Sequence, residues 1–369
     1  MKFPKSTARY EEWLSSQLTI VEADLELKHQ QMAADLFPFL RATYYRWAQL
    51  WPQVCGELAA APRVLAVGDL HVENFGTWRD SEGRLIWGIN DFDEAWRLPY
   101  TNDLVRLAAS AQMAIAANHL AIEMKDAAQA ILHGYAESLA AGGRPFVLAE
   151  HHQALRDMAV GRLKEVTSFW EKLCQCAPVK AEIPAGAAKG IARLLPEPDL
   201  PRQYVHRVAG LGSLGRQRFV ALADWHAAKI AREAKAMAPS ACWWAEGCKG
   251  PARIRYQEIL DTAVRCVDPY VRLKGRWIVR RLAPDCSRIE LAALPKERDE
   301  IRLLDAMGFE TANVHLGSRN ARAIRDDLKR RGGAWLAKAA GEMVKALRGD
   351  WEEWRQSYAP PARRAAAGR

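Results

Sequence analysis

A chain of 369 residues, 49% hydrophobic and 26% charged, can bury a large core and has the balance of a globular protein, not a disordered or fibrous one. The net charge of +9 admits anionic partners, but its densest runs are only Lys329-Arg-Arg331 and Arg363-Arg364, and no basic–aromatic stripe marks a nucleic-acid surface. Seven scattered cysteines without Cys-x-x-Cys spacing argue against a disulfide frame or zinc site, and the lack of a secretory leader or membrane-spanning run sets the expectation of a reducing cytoplasm.

Apolar periodicity predicts helices over Thr7–Gln30 and Met32–Trp51. Pro62 then introduces a short strand, Val64–Val67, which delivers Asp69. Asp69 and Asn74 stand in an Asp-x-x-x-x-Asn spacing, inside Val67-Gly-Asp-Leu-His-Val-Glu-Asn-Phe-Gly76. Alternation at Phe75, Thr77 and Arg79, the turn Asp80-Ser-Glu-Gly83, and return at Leu85, Trp87 and Ile89 predict a hairpin. That hairpin would carry Asp91 back beside Asn74. One carboxylate that accepts a hydroxyl proton, with an Asn and a second acid that hold Mg²⁺, is the equipment of a phosphotransferase loop. Asp69 is therefore the expected proton acceptor, and Asn74 and Asp91 the metal ligands. Asp93 would bind a second ion or brace the loop, and His71 would bond the loop backbone or touch a phosphate. Acids as close as Asp91, Asp93 and Glu94 repel one another without a cation or basic partner.

A loop at Pro99–Asn102 is expected next, followed by helices from Asp103 to Ala117 and on through Leu139, ended by Gly142-Gly-Arg-Pro145. A helix over Ala149–Cys174 leads to a Pro/Gly-punctuated connector, Pro178–Pro201. Short strands are then predicted at Tyr204–Ala209, Arg218–Leu222, Lys229–Lys235 and Trp277–Leu282, with a helix over Ile254–Val267. Gly210-Leu-Gly-Ser-Leu-Gly215 falls between the first two strands. A dinucleotide turn would open a helix at its third glycine, whereas a strand follows here, which suits a flap whose backbone N–H groups close over phosphates. Gly210, Gly212, Ser213 and Gly215 are the candidate clamp. Lys235 is the candidate phosphate lysine, and Glu258 on the following helix its candidate partner. Helices resume at Arg298 and run to the Trp351 and Trp354 pair.

The clamp follows the catalytic loop, the reverse of the order in ordinary kinases. Circular permutation accounts for this. The runs Phe37–Arg41, Gly68–Gly76, Asn90–Glu94 and Asp103–Ser110, with Gly210–Gly215, Glu233–Lys235 and Tyr270–Arg272, resemble the bacterial family called domain of unknown function 2252. The resemblance extends from about Lys28 to about Tyr358. The loop is also similar to that of aminoglycoside and choline kinases, His-Gly-Asp-x-His-x-x-Asn. It matches at Gly68, Asp69, His71 and Asn74 and departs at Val67, where those kinases carry a bracing histidine.

These resemblances imply an α+β, two-lobed, protein-kinase-like and aminoglycoside-phosphotransferase-like fold, circularly permuted. A helix-rich lobe with the catalytic loop would span 1–177 and a connector 178–201. A small antiparallel-sheet nucleotide lobe would span 202–295, helices packing back on the first lobe 296–358, and a disordered tail 359–369. The expected activity is phosphotransfer from ATP with Mg²⁺ to a hydroxyl of a small-molecule or protein acceptor. A nucleotide-binding pseudokinase, nucleotidyl (AMP) transfer on the same metal acids, and a basic nucleic-acid-binding module are the rival readings. No membrane association is expected.

Overall fold

The computed structural model describes residues 1–148, 152, 155–157, 165–286 and 300–358. It is a mixed α+β structure of helices and small antiparallel sheets. Four helices lead the chain: α1 (Phe3–Gln17), α2 (Glu22–Ala34), α3 (Leu36–Ala42) and α4 (Tyr44–Val54). The two long helices expected here are each divided. Leu18–Val21 leaves the helix because Ile20 forms an antiparallel bridge to Arg216, an attraction that local periodicity cannot reveal. Asp35 stops α2 and starts α3, its carboxylate accepting from Phe37 N at 2.8 Å.

β1 (Arg63–Ala66) pairs with β4 (Trp96–Pro99), and β2 (Phe75–Arg79) with β3 (Leu85–Ile89) in the expected hairpin, in register Phe75↔Ile89. Pro99–Asn102 is not a loop: β4 runs directly into α5 (Tyr100–Ala116). α6 (Met124–Ala141) ends on left-handed Gly142, and the short β5 (Phe146–Val147) adds to β3. Of the helix expected over Ala149–Cys174, α7 (Val166–Cys174) is described. Residues 149–151, 153–154 and 158–164 lie outside the described residues.

The stretch 178–201 contains a helix, α8 (Ala185–Ala192), that its Pro and Gly content concealed. Beyond it, β6 (Gln203–His206), β7 (Arg218–Trp225), β8 (Ala228–Ala236), β9 (Arg272–Lys274) and β10 (Trp277–Leu282) form an antiparallel sheet of order β6-β7-β8-β10-β9. Period-two alternation splits its side chains between two faces. Phe219, Ala221, Ala234 and Val279 pack on Ala187 and Ile191 of α8, while Val205, Val220, Ala231 and Leu282 pack on Leu173 of α7. Between β8 and β9 come α9 (Ala241–Ala245) and α10 (Tyr256–Thr262), the latter shorter than the expected Ile254–Val267.

α11 (Glu300–Leu316), α12 (Ala321–Arg330) and α13 (Trp335–Ser357) close the described chain. α11 crosses α6 at two glycines: a Cβ on Gly134 would strike the Asp305 carbonyl, and one on Gly308 the Ile131 carbonyl. Only the missing side chains let these backbones meet. α13 packs on α5, α4, α2 and α1, so the two ends of the described chain share one core, with Phe3 edge-on to Trp354. The expected tail, 359–369, lies outside the described residues, as do 287–299. Among the described residues no helix is long and apolar enough to cross a membrane.

Candidate functional site

The loop after β1 turns at Gly68, which has φ +84° and leaves no room for a side chain: a Cβ there would meet Tyr44 Oη at 2.9 Å and collide with the Glu94 carbonyl. Asp103, in the first turn of α5, anchors this turn. Its carboxylate accepts from Val67 N at 2.6 Å and Gly68 N at 2.9 Å, so it holds the loop and is not a helix cap. Asp69 is presented next. Arg106, one turn further along α5 and with no solvent exposure, donates to Asp69 Oδ1 through Nε (2.9 Å) and Nη2 (2.5 Å). The guanidinium is stacked between Tyr44 and Trp47, 4.9 and 4.8 Å from their ring centres. Burial raises the Asp69 carboxyl above its ordinary range and Arg106 opposes that rise.

Asn74 is buried and ties the loop to the hairpin: its Nδ2 donates to Asp69 O at 2.8 Å and reaches Asp91 O at 3.5 Å. The side-chain oxygen takes no part in these bonds. The β2–β3 ladder and the bond from Asn90 N to Asn74 O, 3.2 Å, bring Asp91 back beside Asn74. His71 is buried, accepts from Glu73 N on Nδ1 at 3.2 Å and meets Phe37 edge-on, which places it in the loop's own framework.

Lys235 on β8 arrives from 142 residues away and donates to both oxygens of Asp93, at 2.7 and 2.6 Å, with Asp91 at 3.7 Å. Desolvation lowers the lysine and raises Asp93, and Asp91 raises Asp93 further. Asp93 thus serves as counter-ion to Lys235 and to Arg216, 3.3 Å away. Glu258 does not pair with Lys235. It lies 2.7 Å from Arg255 and 3.2 Å from Arg97 near the surface, because α10 turns that side outward. The sheet satisfies Lys235 from the acidic hairpin, so no helix glutamate is needed.

The glycine loop joins β6 and β7 as expected, with Gly210 and Gly215 at φ +76° and +91° and a tight turn over Leu211–Ser213. Ser213 Oγ stays within it, donating to Gly210 O at 3.1 Å and accepting from Arg218 at 2.8 Å. Gly212 lies over the Asp69 carboxylate, since a Cβ on it would sit 3.4 Å from Asp69 Oδ2. The N-terminal helices hold this loop in place. Val21 N donates to Gly215 O (2.8 Å), and Lys28, whose ammonium burial lowers to about 8, donates to Gly212 O (3.3 Å).

Asp69, His71, Asn74, Asp91, Asp93 and the loop residues Gly210, Gly212 and Ser213 line one cleft. One residue lining it, Arg216, escaped sequence reading. Arg216 bridges Asp93 and Glu94, Arg106 holds Asp69, and Glu94 accepts from Ala241 N at 2.6 Å with its carboxyl pushed up to about 7, mainly by burial. Arg216 directly follows the last loop glycine, a position that could have flagged it.

Asp69, Asp91 and Asp93 do not gather into a closed cage. Among the described residues, the group of three carboxylate or imidazole ligands within 4.8 Å of one another is His133, Glu137 and Asp305, away from the cleft. An open set of one or two carboxylates and an amide fits Mg²⁺, which keeps waters and takes phosphate oxygens as its remaining ligands.

Residues 20–177 match the family model described as "Uncharacterized protein conserved in bacteria (DUF2252)". That segment contains Gly68–Gly76 and Asn90–Glu94, so the family resemblance holds there. No curated protein and no solved structure matches the chain.

Proposed function

We propose that the chain is a Mg²⁺-dependent transferase that takes a nucleoside triphosphate such as ATP and moves a phosphorus-containing group to an acceptor hydroxyl, on a circularly permuted kinase-like fold. The observation that carries this is the meeting of Lys235 with Asp91 and Asp93 beneath a glycine loop that lies over Asp69. Supporting the permuted reading, the glycine loop joins the first two strands of the five-stranded sheet and the lysine stands on its third, as in kinases.

In this reading Asn74 and Asp91 hold Mg²⁺, which supplies charge neutralisation at the phosphates. Lys235 leaves Asp93 to meet a phosphate, and backbone N–H groups of the glycine loop other than those of Ser213 and Leu214, which bond Gly210 O and Leu211 O, close over the nucleotide. Asp69, fixed through Oδ1 by Arg106, offers Oδ2 to the acceptor hydroxyl and takes its proton. His71 keeps the loop in shape. Val67 lacks an imidazole, but Asp103 already holds the loop backbone, which favours activity over a binding-only role.

Thermal shift with ATP, with and without Mg²⁺, tests the reading on wild type, Asp91→Ala and Lys235→Ala. A ligand at one hundred times its Kd stabilises the native state by about 2.7 kcal/mol. Wild type that gains nothing from Mg-ATP sinks the proposal.

A further inference from the structure

Adjoining the acidic cleft, and sharing Arg41 and Gly210 with it, is a cavity of about 420 Å³. Asn90 and Phe92, on either side of Asp91, line it as well. Six arginines face it: Arg41, Arg207, Arg218, Arg265, Arg280 and Arg281. The carboxylates among its described lining residues are Glu73 and Asp268. Arg207, Arg218 and Arg280 all converge on Glu233, at 2.8, 2.8 and 2.7 Å, and Glu233 is fully buried. One carboxylate therefore serves three guanidiniums where water screens them little.

The Nε atoms of Arg41, Arg265 and Arg281 are buried and find no acceptor among the described residues. Surplus positive charge and orphaned buried donors both call for a polyanion. The aromatic walls are already committed: Arg265 stacks on Trp78 and Phe92, 4.6 and 5.0 Å from their centres, and Phe92 meets Tyr256 edge-on. A neutral base would displace these contacts and strand guanidiniums against it.

On the premise that the cleft takes a Mg-nucleoside triphosphate, we propose that the β- and γ-phosphates occupy this arginine cavity, leaving the α-phosphate at Asn74 and Asp91. The group transferred is then the nucleoside monophosphate. The acceptor oxygen bonds to the α-phosphorus, and the bond from that phosphorus to the oxygen bridging to the β-phosphorus breaks. Pyrophosphate departs with that electron pair, and the hydroxyl proton passes to Asp69 Oδ2. Guanidiniums placed around the leaving group stabilise the charge that grows on it.

The test is calorimetric titration of the full chain with Mg²⁺ and ATP, inorganic pyrophosphate or adenosine, on wild type, Arg207→Gln and Arg281→Gln. Pyrophosphate binds and competes with ATP, adenosine does not bind, and each substitution weakens ATP and pyrophosphate roughly ten-fold or more. Arg281→Gln leaves Glu233 and its three partners intact, so it carries the test if Arg207→Gln lowers the ligand-free melting temperature. Prolonged incubation with Mg-ATP gives AMP and pyrophosphate where water serves as acceptor. Where that reaction is too slow to yield product, the competition and the variants decide.

Binding of ATP without competition from pyrophosphate, unchanged ATP affinity in Arg281→Gln, or release of ADP and orthophosphate overturns this inference and leaves the nucleotide reading standing. No binding of ATP at all removes the premise and the proposal with it.

Discussion

His315 Nε2 lies 2.9 Å from Asp103 Oδ2, with both side chains fully buried. The other ring nitrogen is 2.7 Å from Tyr135 Oη, and Asp103 in turn holds Val67 N and Gly68 N. A relay from α6 through α11 to α5 thus ends on the backbone that presents Asp69. On the proposed kinase-like reading, Val67 stands where a bracing histidine is expected. Here an imidazole 248 residues later in the chain (315 − 67) reaches the same loop through Asp103.

Loss of that imidazole weakens the loop's anchor. His315→Ala leaves a buried carboxylate short of a partner and is expected to cost about 1–3 kcal/mol, read as a lower denaturant midpoint. If nucleotide turnover is observed in the wild type, His315→Ala lowers kcat more than it raises KM, while His315→Gln, which retains a donor, restores part of it. An unchanged midpoint in His315→Ala refutes the anchoring role.

On the proposed nucleotide reading, Lys235→Ala and Asp91→Ala separate in their Mg²⁺ dependence. Lys235→Ala reduces the ATP-induced thermal shift with Mg²⁺ present or absent. Asp91→Ala abolishes only the part that Mg²⁺ adds. The same loss in both variants under both conditions would show that the two residues do not divide phosphate and metal between them.

Glu258→Gln leaves nucleotide affinity unchanged, because its partners are Arg97 and Arg255 at the surface and not Lys235. The stability change stays within about 1 kcal/mol. A several-fold drop in ATP affinity would restore the lysine-partner role that the geometry denies.

Glu310 makes stability fall as pH rises. Burial pushes its carboxyl from 4.5 up to about 7, so between those values the folded chain holds a proton that the unfolded chain has released. Its contribution is full below about 4.5 and is lost as pH climbs to about 7. Glu310→Gln therefore flattens the pH dependence of the unfolding free energy between pH 5 and 7. Equal slopes in variant and wild type would contradict the shift.

Gly308→Ala drives a methyl group into the Ile131 carbonyl at the crossing of α6 and α11. Backbone cannot yield as a flexible side chain does, so a loss of about 1–3 kcal/mol is expected. Gly332→Ala, in the turn between two helices and with nothing within 4 Å of its Cβ, is the control and unfolds close to wild type.

The β2–β3 hairpin was legible because its alternation and turn are local, and it suffices to put Asn74 beside Asp91. The strand–glycine–strand order was legible for the same reason. By contrast, the break at Ile20, the helix within 178–201 and the pairing of Lys235 each depend on a partner distant in the chain. Periodicity carries no record of such partners.

By itself the sequence determined which chemistry-bearing residues exist and how Asp69, Asn74 and Asp91 are spaced, since turn residues and alternation act over a few positions. Tertiary structure alone decided that Lys235 meets Asp93, that Arg106 holds Asp69, and that six arginines share one cavity with Glu233 behind them. Buried charges must find partners wherever packing brings them, and here packing brings Arg106 from 37 residues away and Lys235 from 142.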